Sequence, residues 1–401
     1  MEPIIFHIDV NSAYLSWTAI TLLEQGSSVD LRQIPSVIGG DQSKRHGVVL
    51  AKSLPAKAYG IQTGEPIVNA FRKCPSLTLA SPDHKMYSAR SRQLMEYLAC
   101  ICPSIEQVSI DECYIDFSPI AHRYTSYMEA ANEIREAVFH RFHFTVNIGI
   151  SNRKVLAKMA SDFQKPNRIH TLFTDEIQKK MWPLPVDRLH MCGRSSVEVL
   201  RKLEILTIGE LAKANPAVLT AHLKSHGMLL YHYANGIDPS AVETAPNAAK
   251  GIGNSTTLSS DAVSREEALP ILLWLSESVA ARLHKAGQSA SMISCEIKYS
   301  TFRSVSHQTT LSTPTDSANK IYETACLLFD ELWDHSPIRL LGIRTSKLIS
   351  AEEPVQLNLM DLKILNEQQR QNTKQQKLEQ ALNKIRQKYG DDAVIPGSRL
   401  K

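Results

Sequence analysis

The chain has no long apolar run and no block of like charge. Across 401 residues, 45 basic and 41 acidic side chains leave a net charge of only +4. Without about 20 consecutive apolar residues there is no transmembrane helix. The start of the chain has no basic stretch followed by an apolar one, so it does not read as a secretory signal. Total charge selects no polyanionic partner, and charge placement has to decide. Aromatic residues make up only 6%. The seven cysteines are scattered, odd in number and form no Cys-x-x-Cys pair. That argues against a disulfide framework and a structural zinc site. The expectation is a reduced, cytoplasmic protein with no membrane span. At this length, two to four domains are expected.

What is present is acid where acid is costly. Ser109-Ile110-Asp111-Glu112-Cys113-Tyr114-Ile115-Asp116 sets two adjacent carboxylates in a strand-like apolar run, where bare charge is expensive to bury. A second run, Ile4-Ile5-Phe6-His7-Ile8-Asp9-Val10, ends in another such acid. Neighbours in a flat strand point to opposite faces, so Asp111 and Glu112 can share a cation only if the chain turns there. A tight hairpin at the pair is therefore expected. Three oxygen-rich side chains suit magnesium, and magnesium suits phosphoryl transfer.

Periodicity organises the rest. Strands are expected at 4–10, 48–50 and 144–150, and helices from Tyr14 to Glu24, from Ser88 to Ile101 and over 127–142. Ser151 reads as the N-cap of a helix over 152–163. Its apolar stripe is Val155, Leu156, Met159, Ala160 and Phe163, with Lys154 and Lys158 together on another face. Strands separated by helices, with acids on the strands, describe an α+β catalytic domain. Residues 175–240 read as short helices. There Cys192-Gly193-Arg194 leads into a helix at Val197–Leu203, and a second helix follows from Thr207. A turn and helix N-terminus of this kind can hold a backbone phosphate.

Residues 250–349 read as strand, helix, strand, strand, helix, strand, with the helices over 266–286 and 316–334. This is the split βαβ arrangement. The last three strands hold Lys298, Arg303, Arg339, Arg344 and Lys347 against one acid, Glu296, while the helices and their caps are acidic. An open, basic sheet face suits a phosphate backbone. The tail, 350–401, is polar and contains the short apolar peptide Gln356-Leu357-Asn358-Leu359-Met360-Asp361.

Together these residues resemble the Y-family DNA polymerases, the translesion family whose bacterial branches include polymerase IV and UmuC-like members. The likeness covers nearly all of 1–349. It rests on Ile8-Asp9-Val10-Asn11-Ser12-Ala13-Tyr14, Ala56-Lys57-Ala58-Tyr59-Gly60-Ile61, Ser109-Ile110-Asp111-Glu112, Gly149-Ile150-Ser151-Asn152-Arg153-Lys154 with Ala157-Lys158, and Lys165-Pro166-Asn167. The resemblance implies an α+β multidomain right hand: palm (1–12 and 80–172), fingers (13–79) and a helical thumb with a helix-hairpin-helix (173–242). A linker (243–249), a split βαβ little finger (250–349) and the tail would follow.

By the same resemblance, Asp9, Asp111 and Glu112 are the catalytic carboxylates. With the backbone carbonyl of Val10 they would hold two magnesium ions, for which manganese can substitute. Tyr14 would be the steric gate against a ribose 2′-hydroxyl. Lys57, Lys165 and Ser53 would serve the incoming deoxynucleoside triphosphate. Lys154, Lys158, Gly193, Lys298, Arg303, Arg339, Arg344 and Lys347 would contact primer-template DNA. Gln356, Leu357, Leu359 and Met360 would bind a sliding clamp. The implied protein is a bacterial, monomeric enzyme at the replication fork that adds deoxynucleotides to a primer and releases pyrophosphate.

The chain departs from the family pattern at four places. Lys57 stands where many relatives have arginine, and Leu54 where many have a tyrosine that meets phosphate. Asn11 replaces a second acid, and Met191 stands where the thumb hairpin usually has glycine. Two rival readings follow from the residues: another two-metal enzyme on a palm-like domain, such as a nucleotidyl cyclase, or a non-catalytic DNA- or clamp-binding protein. The basic sheet argues against the first, and the intact acids with Tyr14, Lys57 and Lys165 against the second.

Overall fold

The structure, a computed structural model, describes residues 2–40, 47–245 and 248–350. The peptide 356–360 lies outside the described residues. The chain divides into two compact units at 246/247.

The first unit begins with β1 (Ile5–Val10) and α1 (Ala13–Glu24), then β2 (Ser36–Gly39), β3 (Val49–Lys52), α2 (Leu54–Ala58), α3 (Ile67–Lys73) and β4 (Thr78–Ala80). It continues with α4 (His84–Ile101), β5 (Ile105–Gln107), β6 (Glu112–Asp116), α5 (Tyr127–Phe142), β7 (Val146–Ser151), α6 (Lys154–Ser161) and β8 (Ile169–Thr171). Four helices follow: α7 (Ile177–Lys180), α8 (Arg194–Lys202), α9 (Ile208–Lys213) and α10 (Pro216–Ala234).

The main sheet has the order β5-β6-β1-β7-β8, and β1 is antiparallel to both neighbours. Strand alternation sorts β1 into two faces. Phe6, Ile8 and Val10 join a core with Tyr87, Leu94 and Leu98 of α4 and Ala130, Ile134 and Val138 of α5. The other set, Ile5, His7 and Asp9, faces α6: Ile5 packs with Ala157, and His7 bonds Ser161. Gly149 lets α6 come this close, because a Cβ there would lie 1.9 Å from the Ala157 carbonyl oxygen. Val155, Leu156 and Met159 turn the other way and share a core with the helices α7–α10. In the smaller sheet, β3-β2-β4, Val37 packs against α2 and α3 and Ile38 against α1.

Two expected boundaries move, for reasons outside the local sequence pattern. The helix expected from Ser88 starts at His84, because Asp83 accepts from the amides of Lys85 and Met86. Ser151 is not the cap of α6. It is the last residue of β7, and its hydroxyl donates to the Leu172 carbonyl at 2.6 Å. The α6 N-terminus is served instead by Asp238, 83 residues away, whose Oδ2 accepts from the Val155 amide at 2.9 Å.

The second unit comprises β9 (Gly251–Ala262), α11 (Arg265–Ala286), β10 (Gln288–Tyr299), β11 (Ser304–Thr315), α12 (Ala318–Leu332) and β12 (Ile338–Ser350). Its antiparallel sheet runs β11-β10-β12-β9. Ser264 and Ser317 cap α11 and α12. Both helices cover the face made by Ile293, Cys295, Ile297, Tyr299, Leu341 and Ile343. All seven cysteines are free thiols. Among the described residues, no helix is long and apolar enough to cross a membrane.

Candidate active site

The hairpin expected at the acidic pair is present. Strands β5 and β6 pair Ile105 with Ile115 and Gln107 with Cys113, and residues 108–111 make the turn. Asp111 closes that turn and Glu112 opens β6. The amides of Val108 and Ser109 donate to the Glu112 carbonyl at 3.1 and 3.3 Å. Glu112 is the register partner of Asp9 on β1, and the Val10 amide donates to the Asp111 carbonyl at 3.0 Å. Three acids from two distant segments thus meet at one end of the main sheet.

Their charges are met by lysines. Lys158, on the face of α6 turned to β1, has its Nζ 2.5 Å from Glu112 Oε2 and 3.4 Å from Asp9 Oδ2. Lys165 Nζ lies 2.8 Å from Asp9 Oδ1. Both lysines also reach Asp162 at the end of α6, at 3.8 and 2.8 Å. Burial opposes the charge on both, but Asp9 and Asp162 outweigh it, with Glu112 added for Lys158, so their pKa values rise. Asp111 has no such lysine. It accepts from the Ser109 hydroxyl at 2.7 Å, and burial pushes its carboxyl up.

His7 lies behind this cluster, fully buried. The Ser161 hydroxyl donates to the Lys158 carbonyl at 2.8 Å, so its oxygen accepts from His7 Nδ1, also at 2.8 Å. Burial lowers the His7 pKa and keeps the ring neutral. The Glu112 carboxyl, beside the His7 ring and the Lys158 ammonium, is held at about 2. Geometry gives the greater weight to Lys158. His7 Nε2 stands 3.3 Å from Glu112 Oε2 and makes no hydrogen bond.

Asp9 and Asp111 line a cleft of about 970 Å³ together with Val10, Tyr14, Ser53, Lys57 and Lys165. Tyr14 is half-buried there, its ring stacked on Tyr87 with centroids 4.3 Å apart and planes 6° apart. Asn11 works as a brace. Its Oδ1 accepts from the Thr145 hydroxyl and the Asn167 amide, and its Nδ2 donates to Asn147. Lys57 projects exposed from the last turn of α2. Arg32 and Lys52 also line the cleft, and sequence reading missed both. Lys52 had a signal. On β3, Val49 and Ala51 are buried while Leu50 and Lys52 face the cleft, the alternation of a strand. Arg32 had none. It is held by Asp30 and donates to the His143 carbonyl at 2.7 Å, contacts only the fold creates.

The impB/mucB/samB family model matches residues 8–162, and the family's C-terminal domain model matches 249–359. A DNA polymerase IV of Clostridium acetobutylicum is 44% identical over 98% of both chains. DNA polymerase IV 1 of Bacillus subtilis is 35% identical over 99% of this chain and 93% of its own. The chain belongs to the Y-family DNA polymerases, the impB/mucB/samB family. A solved Y-family DNA polymerase chimera of Dbh and Dpo4 has the same fold. Its TM-score is 0.77 at 21% identity, and the match covers 86% of this chain and 99% of that one.

The structure bears on four expectations about binding residues. Lys154 is already engaged within the protein. It pairs with Glu106 at 2.7 Å, donates to the Ala241 carbonyl and lies over the Tyr114 ring, largely buried. Lys158 belongs to the acidic cluster rather than to a DNA-facing surface. The Ser53 hydroxyl caps α2, donates to the Ile34 carbonyl and accepts from the Ser36 amide, so it has nothing left for a nucleotide. The basic sheet face of the second unit is thinner than its charge count. Register puts Lys298 and Arg344 on the open face with Glu296, Ser294 and Gly342. Arg303 instead sits in the β10–β11 turn, paired with Asp334 and lying over the Tyr299 ring. Arg339 lies over the Phe302 ring, and Lys347 occupies a left-handed backbone position at φ 53°. Met191, where glycine is usual, has φ 69°, the region glycine favours; Gly193 opens α8 with nothing crowding its Cβ position.

Proposed function

We propose that this chain adds deoxynucleotides to a primer 3′-hydroxyl at the Asp9–Asp111–Glu112 cluster, with pyrophosphate as the leaving group. The enzyme class, a DNA-directed DNA polymerase of the translesion type, comes with its family and with the polymerase IV relatives. One observation carries the assignment of the site. Asp9 of β1 and Asp111 of the β5–β6 hairpin line one cleft with Tyr14, Lys57 and Lys165, and Glu112 is the register partner of Asp9.

Divalent metal dependence is a property of the family. The donors here are hard oxygens, Asp9, Asp111, Glu112 and the Val10 carbonyl, which fit magnesium and accept manganese. Two such ions, when bound, neutralise charge on the attacking and leaving oxygens. The protein's own part is to hold and orient. The Val10–Asp111 hydrogen bond and the Asp9–Glu112 register fix the three acids relative to one another. Tyr14, locked by Tyr87, closes the cleft where a sugar 2′ position would lie. Lys57 and Lys165 supply cations to a triphosphate. Lys serves there as a point charge rather than a fork.

In this reading the main sheet is the palm, the β2–β4 region the fingers, α7–α10 the thumb, and the second unit the little finger. Gly193 at the start of α8, with Lys298 and Arg344, would meet DNA phosphates, which position without specifying sequence. Primer extension tests the site. Asp111→Ala should lower the extension rate by on the order of 10²–10³ or more, as loss of one preorganised electrostatic group does. Extension by Asp111→Ala at the parental rate would sink the assignment.

A further inference from the structure

Lys158 and Lys165 occupy the carboxylate oxygens that the proposed function gives to metal. Each oxygen of Asp9 has a different lysine, Lys165 on Oδ1 and Lys158 on Oδ2. Lys158 also holds Glu112 Oε2 at 2.5 Å. Asp9 and Glu112 are turned to these ammonium groups and Asp111 to the Ser109 hydroxyl, and among the described residues no acidic cluster is drawn together tightly enough to cage an ion. A buried group of acids with nothing between them would repel, and two lysines remove that repulsion. Both lysines have a second carboxylate in reach. Asp162 stands 2.8 Å from Lys165 and 3.8 Å from Lys158, and it is half-exposed, outside the cluster.

We infer that Lys158 and Lys165 are internal place-holders for the metal ions. They hold Asp9 and Glu112 and offset part of the cluster's negative charge until a divalent cation displaces them toward Asp162. Lys158 is thus a positioning residue, not a catalytic one. The displacement also frees Lys165 to meet a triphosphate, so metal loading and nucleotide binding support each other. The inference rests on the proposed metal site, and the test separates the two.

The test is Mn2+ binding to the full chain, without DNA or nucleotide, followed by the electron paramagnetic resonance of free Mn2+. Parent protein should bind Mn2+ and Asp111→Ala should lose that binding; absence of Asp111-dependent binding removes the site itself, and the place-holder role with it. Given that binding, Lys158→Met should tighten it by about tenfold, since a competing charge within 4 Å is gone. Lys158→Arg, which keeps the charge, should stay near the parent. Asp162→Asn should weaken binding by about threefold, because the lysines lose their alternative partner. A merely structural lysine would give weaker binding in Lys158→Met. Tighter binding in that variant together with weaker binding in Asp162→Asn supports the inference. A Lys158→Met that binds no more tightly than the parent overturns it. If Lys158→Met does not fold, Asp162→Asn decides alone, and undiminished binding there overturns the inference.

Discussion

The acidic cluster of the first unit and the open sheet face of the second treat charge in opposite ways. At the cluster Lys158 has three carboxylates within 4 Å and Lys165 two, and apart from Asp162 the groups are mostly shielded from solvent. On the sheet, Lys298 and Arg339 lie against the Phe302 ring rather than a carboxylate, and Arg344 stands exposed beside small residues. The difference follows from solvent. Buried charge has to be matched on the spot. Exposed cations on a surface of serine and glycine can wait for a partner that brings its own negative charge. In the first region the lysines find their counter-charges within the protein, and in the second the cations are left to a partner from outside.

Removing a matched charge should therefore cost stability, whereas removing an unmatched one should not. Lys154→Met takes one member from the Lys154–Glu106 pair and leaves Glu106 facing the Glu243 amide alone. The expected loss is about 1–3 kcal/mol, below the 3–5 of a fully buried pair. Urea unfolding measures it, and an unchanged midpoint would erase the contrast.

On the sheet, Lys298→Ala with Arg344→Ala should leave the urea midpoint in place and change only DNA binding. Each cation removed from a DNA phosphate should lower the slope of log affinity against log salt by about 1. Fluorescence anisotropy with a primer-template across a salt series reads this directly. A slope equal to the parent's would mean that the open face is not where DNA lies.

The last expected effect concerns the acid stability of the metal-free protein. Glu112 is held down from 4.5 to about 2. A carboxyl lowered in the folded state contributes stability above its unfolded value and loses it as pH falls toward its folded one. Between about pH 4.5 and 2 the parent should therefore lose stability more steeply than Glu112→Gln. The raised Asp111 acts the other way and is common to both proteins. Unfolding midpoints at about pH 5 and about pH 3 in chelator make the comparison, and parallel losses would refute it.

Much of this was legible in the sequence because local pattern and fold agreed. The apolar frames around Asp9 and around Asp111-Glu112 announced strands carrying acids, and the turn between β5 and β6 followed from strand geometry alone. The second unit's order of strands and helices was equally clear, since each element is long and regularly patterned. The failures share a cause. Lys154 and Lys158 were read as a solvent- or DNA-facing pair on one helix face. The close approach of α6 to β1, permitted by Gly149, buries both against acids that are distant in sequence. Ser151 looked like a cap because it precedes the helix, but the group that caps α6 arrives from residue 238. The count of basic residues in β10–β12 overstated the open face, because the β10–β11 turn takes Arg303, register shifts flank Arg339 and Lys347 sits at a left-handed position.

The Asp238 cap also imposes an order in time. Helix α6 carries Lys158 into the acidic cluster, and its first free amide is closed by a residue made 83 positions later. Glu106, in the hairpin that carries Asp111 and Glu112, likewise receives the Glu243 amide. A nascent chain still short of residue 243 holds all three acids of the cluster but lacks the Glu106–Glu243 hydrogen bond beside them. Synthesis from the N-terminus therefore delivers the acids and the strands that set them early, and the outer hydrogen bonds on α6 and the β5–β6 hairpin last, just before the second unit begins to emerge.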